Sequence, residues 1–146
     1  MFTKVVIFTI LFGCALSRNI REETTCQTHA QNAGGSGALQ WDIKCDNDGH
    51  YLPLQCTVQT PKWCSCYNQT DRVSQASNKI KSCECLLAKN VAVISGKSTC
   101  EIPVCNSSGT FEKKQCCPTT QKCRCVDPKT GRTTVQEISN MNLQCP

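Results

Sequence analysis

The sequence predicts a small disulfide-rich fold laid down twice in tandem. Three observations carry that reading. The cysteines repeat in register, they become even in number once an N-terminal leader is removed, and few large apolar side chains accompany them. Cys26, Cys45, Cys56, Cys64, Cys66 and Cys83 reappear as Cys85, Cys105, Cys116, Cys123, Cys125 and Cys145, at offsets of 59, 60, 60, 59, 59 and 62 residues. Gly49 and Gly109, Tyr51 and Phe111, and Gln55 and Gln115 keep the same register. A fixed period of this kind marks one structural unit used more than once.

Residues 1–17 read as a secretory signal. Lys4 supplies the positive start, Val5 to Phe12 the apolar stretch, and Cys14-Ala15-Leu16-Ser17 a small-residue end suited to cleavage. That stretch is well short of the roughly 20 apolar residues a spanning helix needs, so the mature protein is expected to be secreted and extracellular with no membrane span. Cleavage after Ser17 leaves residues 18–25 as an N-terminal tail, a first unit at 26–83 and a second at 85–145. It also removes Cys14, so that fifteen cysteines become fourteen, the even number a fully oxidised secreted chain requires. Cysteine at this density marks a disulfide scaffold. Units of about sixty residues with so few apolar side chains cannot bury enough surface to fold securely alone. A disulfide closing a loop of about 15 residues contributes up to about 3 kcal/mol by constraining the unfolded chain.

Charge excludes little. From Cys26 to Glu84 five Lys or Arg face five Asp or Glu, and from Cys85 to Pro146 eight face four, so the second unit carries +4. Lys113, Lys114, Lys122, Arg124, Lys129 and Arg132 make a solvated basic face rather than a nucleic-acid surface, because aromatic residues to stack bases are scarce. His29 and His50 are isolated and read as solvent-facing loop residues. Without a Cys-x-x-Cys, no metal and no cofactor is expected. Neither a Ser/His/Asp nor a Cys/His set can be assembled, so the chain does not read as an enzyme.

Along the chain, the stretch after Cys26 runs into the loop-like Asn32-Ala33-Gly34-Gly35-Ser36-Gly37. Leu52, Leu54 and Val58 around Cys56 predict a short strand, as do Val126 and Val135 in the second unit. Leu86, Leu87, Val91 and Ile94 fall near helical spacing and stop at Gly96. The junction Cys83-Glu84-Cys85 leaves no linker, so the units should be held closely. Asn68-Gln69-Thr70 and Asn106-Ser107-Ser108 are N-glycosylation sequons in turn-rich segments.

Six cysteines allow about 15 connectivities in principle. Cys64 and Cys66 flank Ser65 and must take different partners, as must Cys123 and Cys125 across Arg124. Cys116 and Cys117 point to opposite sides of an extended segment. The repeat leaves Cys100 and Cys117 unmatched, and pairing them ties the first loop of the second unit to its central strand. Opening the second unit at Cys100 instead breaks the sixty-residue register. Whether Cys116 or Cys117 meets Cys123 stays open on the residues alone.

The first unit reads Cys45-Asp46-x-Asp48-Gly49-x-Tyr51-x-Pro53-x-Gln55-Cys56 and then Cys64-x-Cys66. The second keeps Pro103, Cys105, Gly109, Phe111, Gln115, Cys116 and Cys125-Val126-Asp127, followed by Gly131. These motifs resemble the thyroglobulin type-1 domain, and two copies cover nearly all of the mature chain. The resemblance implies two tandem modules, each a short helix plus a small antiparallel sheet and loops. It also implies the pairings Cys26–Cys45, Cys56–Cys64, Cys66–Cys83, Cys85–Cys105, Cys116–Cys123 and Cys125–Cys145. The chain departs from the family where the usual Cys-Trp-Cys-Val becomes Cys64-Ser65-Cys66-Tyr67 and Cys123-Arg124-Cys125-Val126. Trp63 stands to fill part of the lost aromatic volume.

Some members of that family, the thyropins, block papain-like cysteine proteases by wedging loops into the active-site cleft. The resemblance therefore implies a secreted, thyropin-like inhibitor, expected to be a monomer, whose partner is a papain-like, cathepsin-like cysteine protease. Candidate wedge loops are Gly37 to Trp41 and Gln59 to Trp63, with Leu39, Trp41, Pro61 and Trp63 as contact residues. Core packing is an equal reading of either tryptophan. Ser95 to Thr99 and Pro118 to Lys122 are the counterparts in the second unit. The alternative is a secreted binding module without inhibition, or a venom or defence component, since short tandem thyropins occur among such proteins.

Overall fold

Helix α1 (Thr25–Asn32) starts at Thr24, whose hydroxyl accepts from the Gln27 N–H while the Gln27 side chain accepts from the Thr24 N–H. The computed structural model describes residues 22–34 and 39–146. The expected leader at 1–17, residues 18–21 of the expected tail, and residues 37 and 38 of the first candidate wedge loop lie outside the described residues. Thr24 and Thr25 belong to the fold rather than to the tail, because the capping box recruits them into the helix.

Strands β1 (Trp41–Asp42), β2 (Leu54–Thr57) and β3 (Cys64–Cys66) follow as an antiparallel sheet in the order β1-β2-β3. Trp41 pairs with Thr57, and Cys56 with Cys64. Helix α2 (Glu84–Ile94) precedes a second antiparallel sheet of β4 (Lys114–Cys117), β5 (Lys122–Val126) and β6 (Thr133–Ile138), in the order β4-β5-β6. Leu52 and Val58 lie just outside β2, leaving only Leu54 of the three apolar residues inside it.

The positions that repeat in the sequence make matching contacts. Gly49 and Gly109 have φ of 85° and 90°, the left-handed region a glycine enters without penalty. Their N–H groups bond the carbonyls of Asp46 and Asn106, at 3.1 Å in both cases. Gln55 accepts from the Lys44 N–H at 2.8 Å and donates to the carbonyls of Lys44 and Leu52 at 2.8 and 2.7 Å. Gln115 does the same with Val104 and Glu112, at the same three distances. Each glutamine thus ties the strand that carries it to the segment before its turn.

Seven disulfides use every cysteine from Cys26 onward: Cys26–Cys45, Cys56–Cys64, Cys66–Cys83, Cys85–Cys105, Cys100–Cys117, Cys116–Cys123 and Cys125–Cys145. None joins the part before Glu84 to the part after it. Those parts are held by other means. The Ser108 carbonyl accepts from Lys81 and Ser82, and the Gly109 carbonyl from Cys85. Leu86 and Leu87 of α2 pack against buried Cys64, Cys66, Ile80 and Cys83. A second cluster joins Cys26, Ile43, Tyr51 and Tyr67, and a third Cys85, Phe111 and Val126.

Candidate functional site

The end of the first sheet gathers most of the candidate contact residues. The antiparallel register that sets Trp41 opposite Thr57 carries on one residue beyond the strands, where the Val58 N–H bonds the Gln40 carbonyl at 2.9 Å. The Gln40 N–H reaches the Gln59 side chain at 3.1 Å, and the Thr57 N–H bonds the Trp63 carbonyl at 2.8 Å. Leu39 thereby lies beside the β2–β3 hairpin loop. Leu39, Val58 and Trp63 are 51, 55 and 38 % exposed, and Pro61 is exposed between them. Directly behind this apolar tip, Cys56–Cys64 cross-links the two hairpin strands.

The structure separates the two tryptophans. Trp63 stays at the tip, whereas Trp41 is half-buried against the cluster of Cys26, Ile43, Tyr51 and Tyr67. Val58 joins the tip although its sequence setting suggests a strand interior. The available signal was period-two alternation: Gln55 and Thr57 are the buried residues of β2, which turns Val58 outward. In the second half, the hairpin loop from Pro118 to Gln121 carries no large apolar side chain, and Ser95 to Thr99 are exposed and polar.

The histidines depart from the sequence reading. His29 is on α1, half-buried, with its Nδ1 3.0 Å from the Tyr51 hydroxyl. It is not a solvent-facing loop residue because the buried Tyr51, whose ring centroid is 4.7 Å from that of Tyr67, takes it as the polar partner of its hydroxyl. Burial raises the pKa of both phenols above the ordinary tyrosine value, with smaller additions at Tyr51 from Tyr67 and Asp71. His50 is not isolated either, since Asp46, Asp48 and His50 present ligand-type atoms within 4.8 Å of one another. The turn itself accounts for this trio. Asp46 Oδ1 accepts the N–H groups of Asp48 and His50, both at 2.9 Å, and those bonds hold its carboxyl below the ordinary range.

A groove of about 560 Å³ lies elsewhere, between α2, Lys97, Cys100 and Arg124. It contains no acid–base pair poised for chemistry. Glu101 is committed to the Ser98 hydroxyl and to Lys97, 3.3 Å away, and both hold its carboxyl below the ordinary range.

The sequence is similar to that of known proteins. The thyroglobulin type-1 repeat model matches residues 83–145. U20-hexatoxin-Hi1a of Hadronyche infensa is 31% identical over 141 residues, covering 93% of this chain and 96% of the relative. The chain belongs to the thyroglobulin type-1 family. U24-ctenitoxin-Pn1a of Phoneutria nigriventer is 32% identical over 111 residues, covering 75% of this chain and 86% of that relative. Equistatin of Actinia equina is 24% identical over 135 residues, which span 86% of this chain and 58% of Equistatin.

Against the thyroglobulin type-1 signature, the Cys-x-Cys strand shows how the missing tryptophan is accommodated. Trp63 is 38 % exposed at the end of the hairpin. Ser65 is fully buried, its hydroxyl donating to the Ser74 carbonyl at 2.6 Å, while the Cys66 N–H donates to the Ser74 hydroxyl at 2.8 Å. Polar closure by Ser74 replaces aromatic volume. Arg124, at the matching place in β5, is exposed. Among the described residues no helix is long and apolar enough to cross a membrane.

Proposed function

We propose that the protein is a secreted inhibitor of papain-like cysteine proteases, built of two tandem thyroglobulin type-1 modules at 26–83 and 85–145. The tip of the first module occludes the active-site cleft. One observation carries this reading: Leu39, Val58, Pro61 and Trp63 are exposed apolar residues at the end of a sheet whose hairpin is cross-linked immediately behind its loop. A protease cleft is built to take an extended, partly apolar segment. A wedge already clamped loses less freedom on entering, and it resists being stretched into a cleavable strand. Matching turn and glutamine contacts in the two halves support the tandem division. The toxin names of two relatives favour a second reading, a secreted venom-type binding module acting on a target other than a protease.

Titration of the mature protein against papain and a cathepsin L-type enzyme, with serine and aspartic proteases as controls, separates the two. Nanomolar inhibition confined to the papain-like enzymes is expected. Trp63→Ala should weaken it about 30-fold, the effect of removing a contact residue of about 2 kcal/mol. Trp41→Ala should lower stability and leave the affinity of the folded fraction unchanged. Silence across the papain-like enzymes overturns inhibition and leaves the venom-type module.

A further inference from the structure

The most exposed apolar side chains on α2 border a groove that one of the two sequons also lines. Val91 and Ile94 are 58 and 73 % exposed, and with Asn90 they face Asn68, Gln69 and Thr70 across a groove of about 360 Å³. Asn68 Oδ1 accepts from the N–H groups of Thr70 and Asp71 at 2.9 and 2.6 Å and from the Thr70 hydroxyl at 3.3 Å. Those bonds fix the amide, while its Nδ2 makes no hydrogen bond among the described residues. The atom that would carry a glycan is therefore free, held in place, and beside an uncovered apolar surface.

Asn106 differs in the atom that matters. Its Nδ2 donates to the Thr110 hydroxyl at 2.6 Å, and the Ser108 of its sequon supplies the carbonyl that binds Lys81 and Ser82 at the junction between the halves. A sugar on that nitrogen would replace one of its two protons inside a part-buried turn whose Nδ2 is already engaged with Thr110.

We propose that Asn68, and not Asn106, is the N-glycosylated residue, and that its first sugar lies on Val91 and Ile94. The bond from Nδ2 to the sugar C1 forms as the C1–O bond to a lipid pyrophosphate breaks; the lipid pyrophosphate leaves and the nitrogen gives up one of its two amide protons to a base. A pyranose ring presents C–H groups on one face and hydroxyls on the other, so it covers an apolar patch while keeping a wet surface. Asn68 is five residues beyond Trp63 along the β3 direction, roughly 16 Å at strand rise, so the glycan leaves the tip clear. This inference is independent of protease inhibition.

The test uses the full chain expressed through an insect or mammalian secretory pathway. Peptide mapping after enzymatic deglycosylation, which converts a glycosylated Asn to Asp, should find the conversion at Asn68 and none at Asn106. Asn68→Asp, which keeps the Oδ acceptor and destroys the sequon, should abolish the single gel shift, whereas Asn106→Asp should leave it. Enzymatic removal of the glycan from the folded protein should raise binding of an apolar dye about twofold, and Ile94→Ser should cancel that rise. Occupancy at Asn106 or an unmodified Asn68 overturns the site, and dye binding that is unchanged on deglycosylation overturns the covering role.

Discussion

Replacing Gln55 with Ala should cost more than replacing Gln115, although the two side chains make the same three hydrogen bonds at the same distances. Gln55 is fully buried, whereas Gln115 is half-buried with its bonds open to solvent. Truncating Gln55 strands the Lys44 N–H and the Leu52 carbonyl, while the Lys44 carbonyl keeps the Leu52 N–H at 3.0 Å. Unsatisfied buried groups cost at least about 1 kcal/mol each, so the loss should be about 2 kcal/mol or more. At Gln115 water takes over the vacated partners, and a loss of about 1 kcal/mol is expected. For a chain of this size the first figure lowers Tm by at least about 6 °C and the second by about 3 °C.

Thermal and guanidinium unfolding with disulfides intact, followed by near-UV circular dichroism, reads both numbers. Gln55→Glu should be at least as damaging as Gln55→Ala, because it keeps an acceptor for Lys44 but aims a carboxylate oxygen at two carbonyls. Equal losses at Gln55 and Gln115 would refute the reasoning, since bond count rather than burial would then set the cost. A negligible effect at Gln55 would show that the seven cross-links alone hold the turn in place.

Three further outcomes follow from the geometry. Gly109→Ala should destabilise by at least about 2 kcal/mol in guanidinium unfolding and speed proteolysis near Glu84, because the added Cβ would overlap the Ser82 carbonyl oxygen at a φ that disfavours any side chain. Converting both Cys100 and Cys117 to Ser opens a loop of 17 residues and should cost about 3 kcal/mol, while inhibition by the opposite tip persists. The carboxyls of Asp46, Glu84, Glu101 and Asp127 all sit below the ordinary range, through N–H and hydroxyl hydrogen bonds, so their contribution is complete above that range and is lost as pH falls through the folded values. Tyr51 and Tyr67 sit above the ordinary phenol value, so their contribution is complete below about pH 10 and lost above it. Tm measured across pH should hold level from mildly acidic to mildly alkaline buffer and fall at both ends, shallowly in acid because the carboxyls are largely exposed.

What was legible in the sequence was whatever rests on covalent spacing or on a rigid local rule. The cysteine register and the unmatched Cys100 and Cys117 needed only counting, and the stop of α2 at Gly96 needed only helix chemistry. The recruitment of Thr24 into α1 was signalled by Thr24-x-x-Gln27, a capping box that Cys26 as a landmark obscured. His29 was not legible, because its place depends on what lies across the fold, a tyrosine 22 residues away. Ser65 shows the limit most plainly. Its missing aromatic volume invites a search for a neighbouring aromatic, and the gap is closed instead by Ser74, a polar residue with no sequence signature at all.

The repeat also explains why the two halves should differ in function while sharing a frame. On the sixty-residue period Gln40 corresponds to Cys100, and Thr57 to Cys117. In the first half the loop entering the sheet is held by strand pairing of Trp41 with Thr57 and by the Val58–Gln40 hydrogen bond. In the second half Pro103, lacking an N–H, falls where Ile43 follows β1, no strand precedes β4 among the residues after α2, and Cys100–Cys117 makes the connection covalently. Strand pairing sets Gln40 opposite Val58 and so brings exposed Leu39 to the hairpin loop. A disulfide needs only two sulfur atoms in reach and leaves the flanking residues polar. The same scaffold therefore exposes Leu39, Val58, Pro61 and Trp63 at the end of its first sheet and a polar hairpin loop, Pro118 to Gln121, at the matching place in its second.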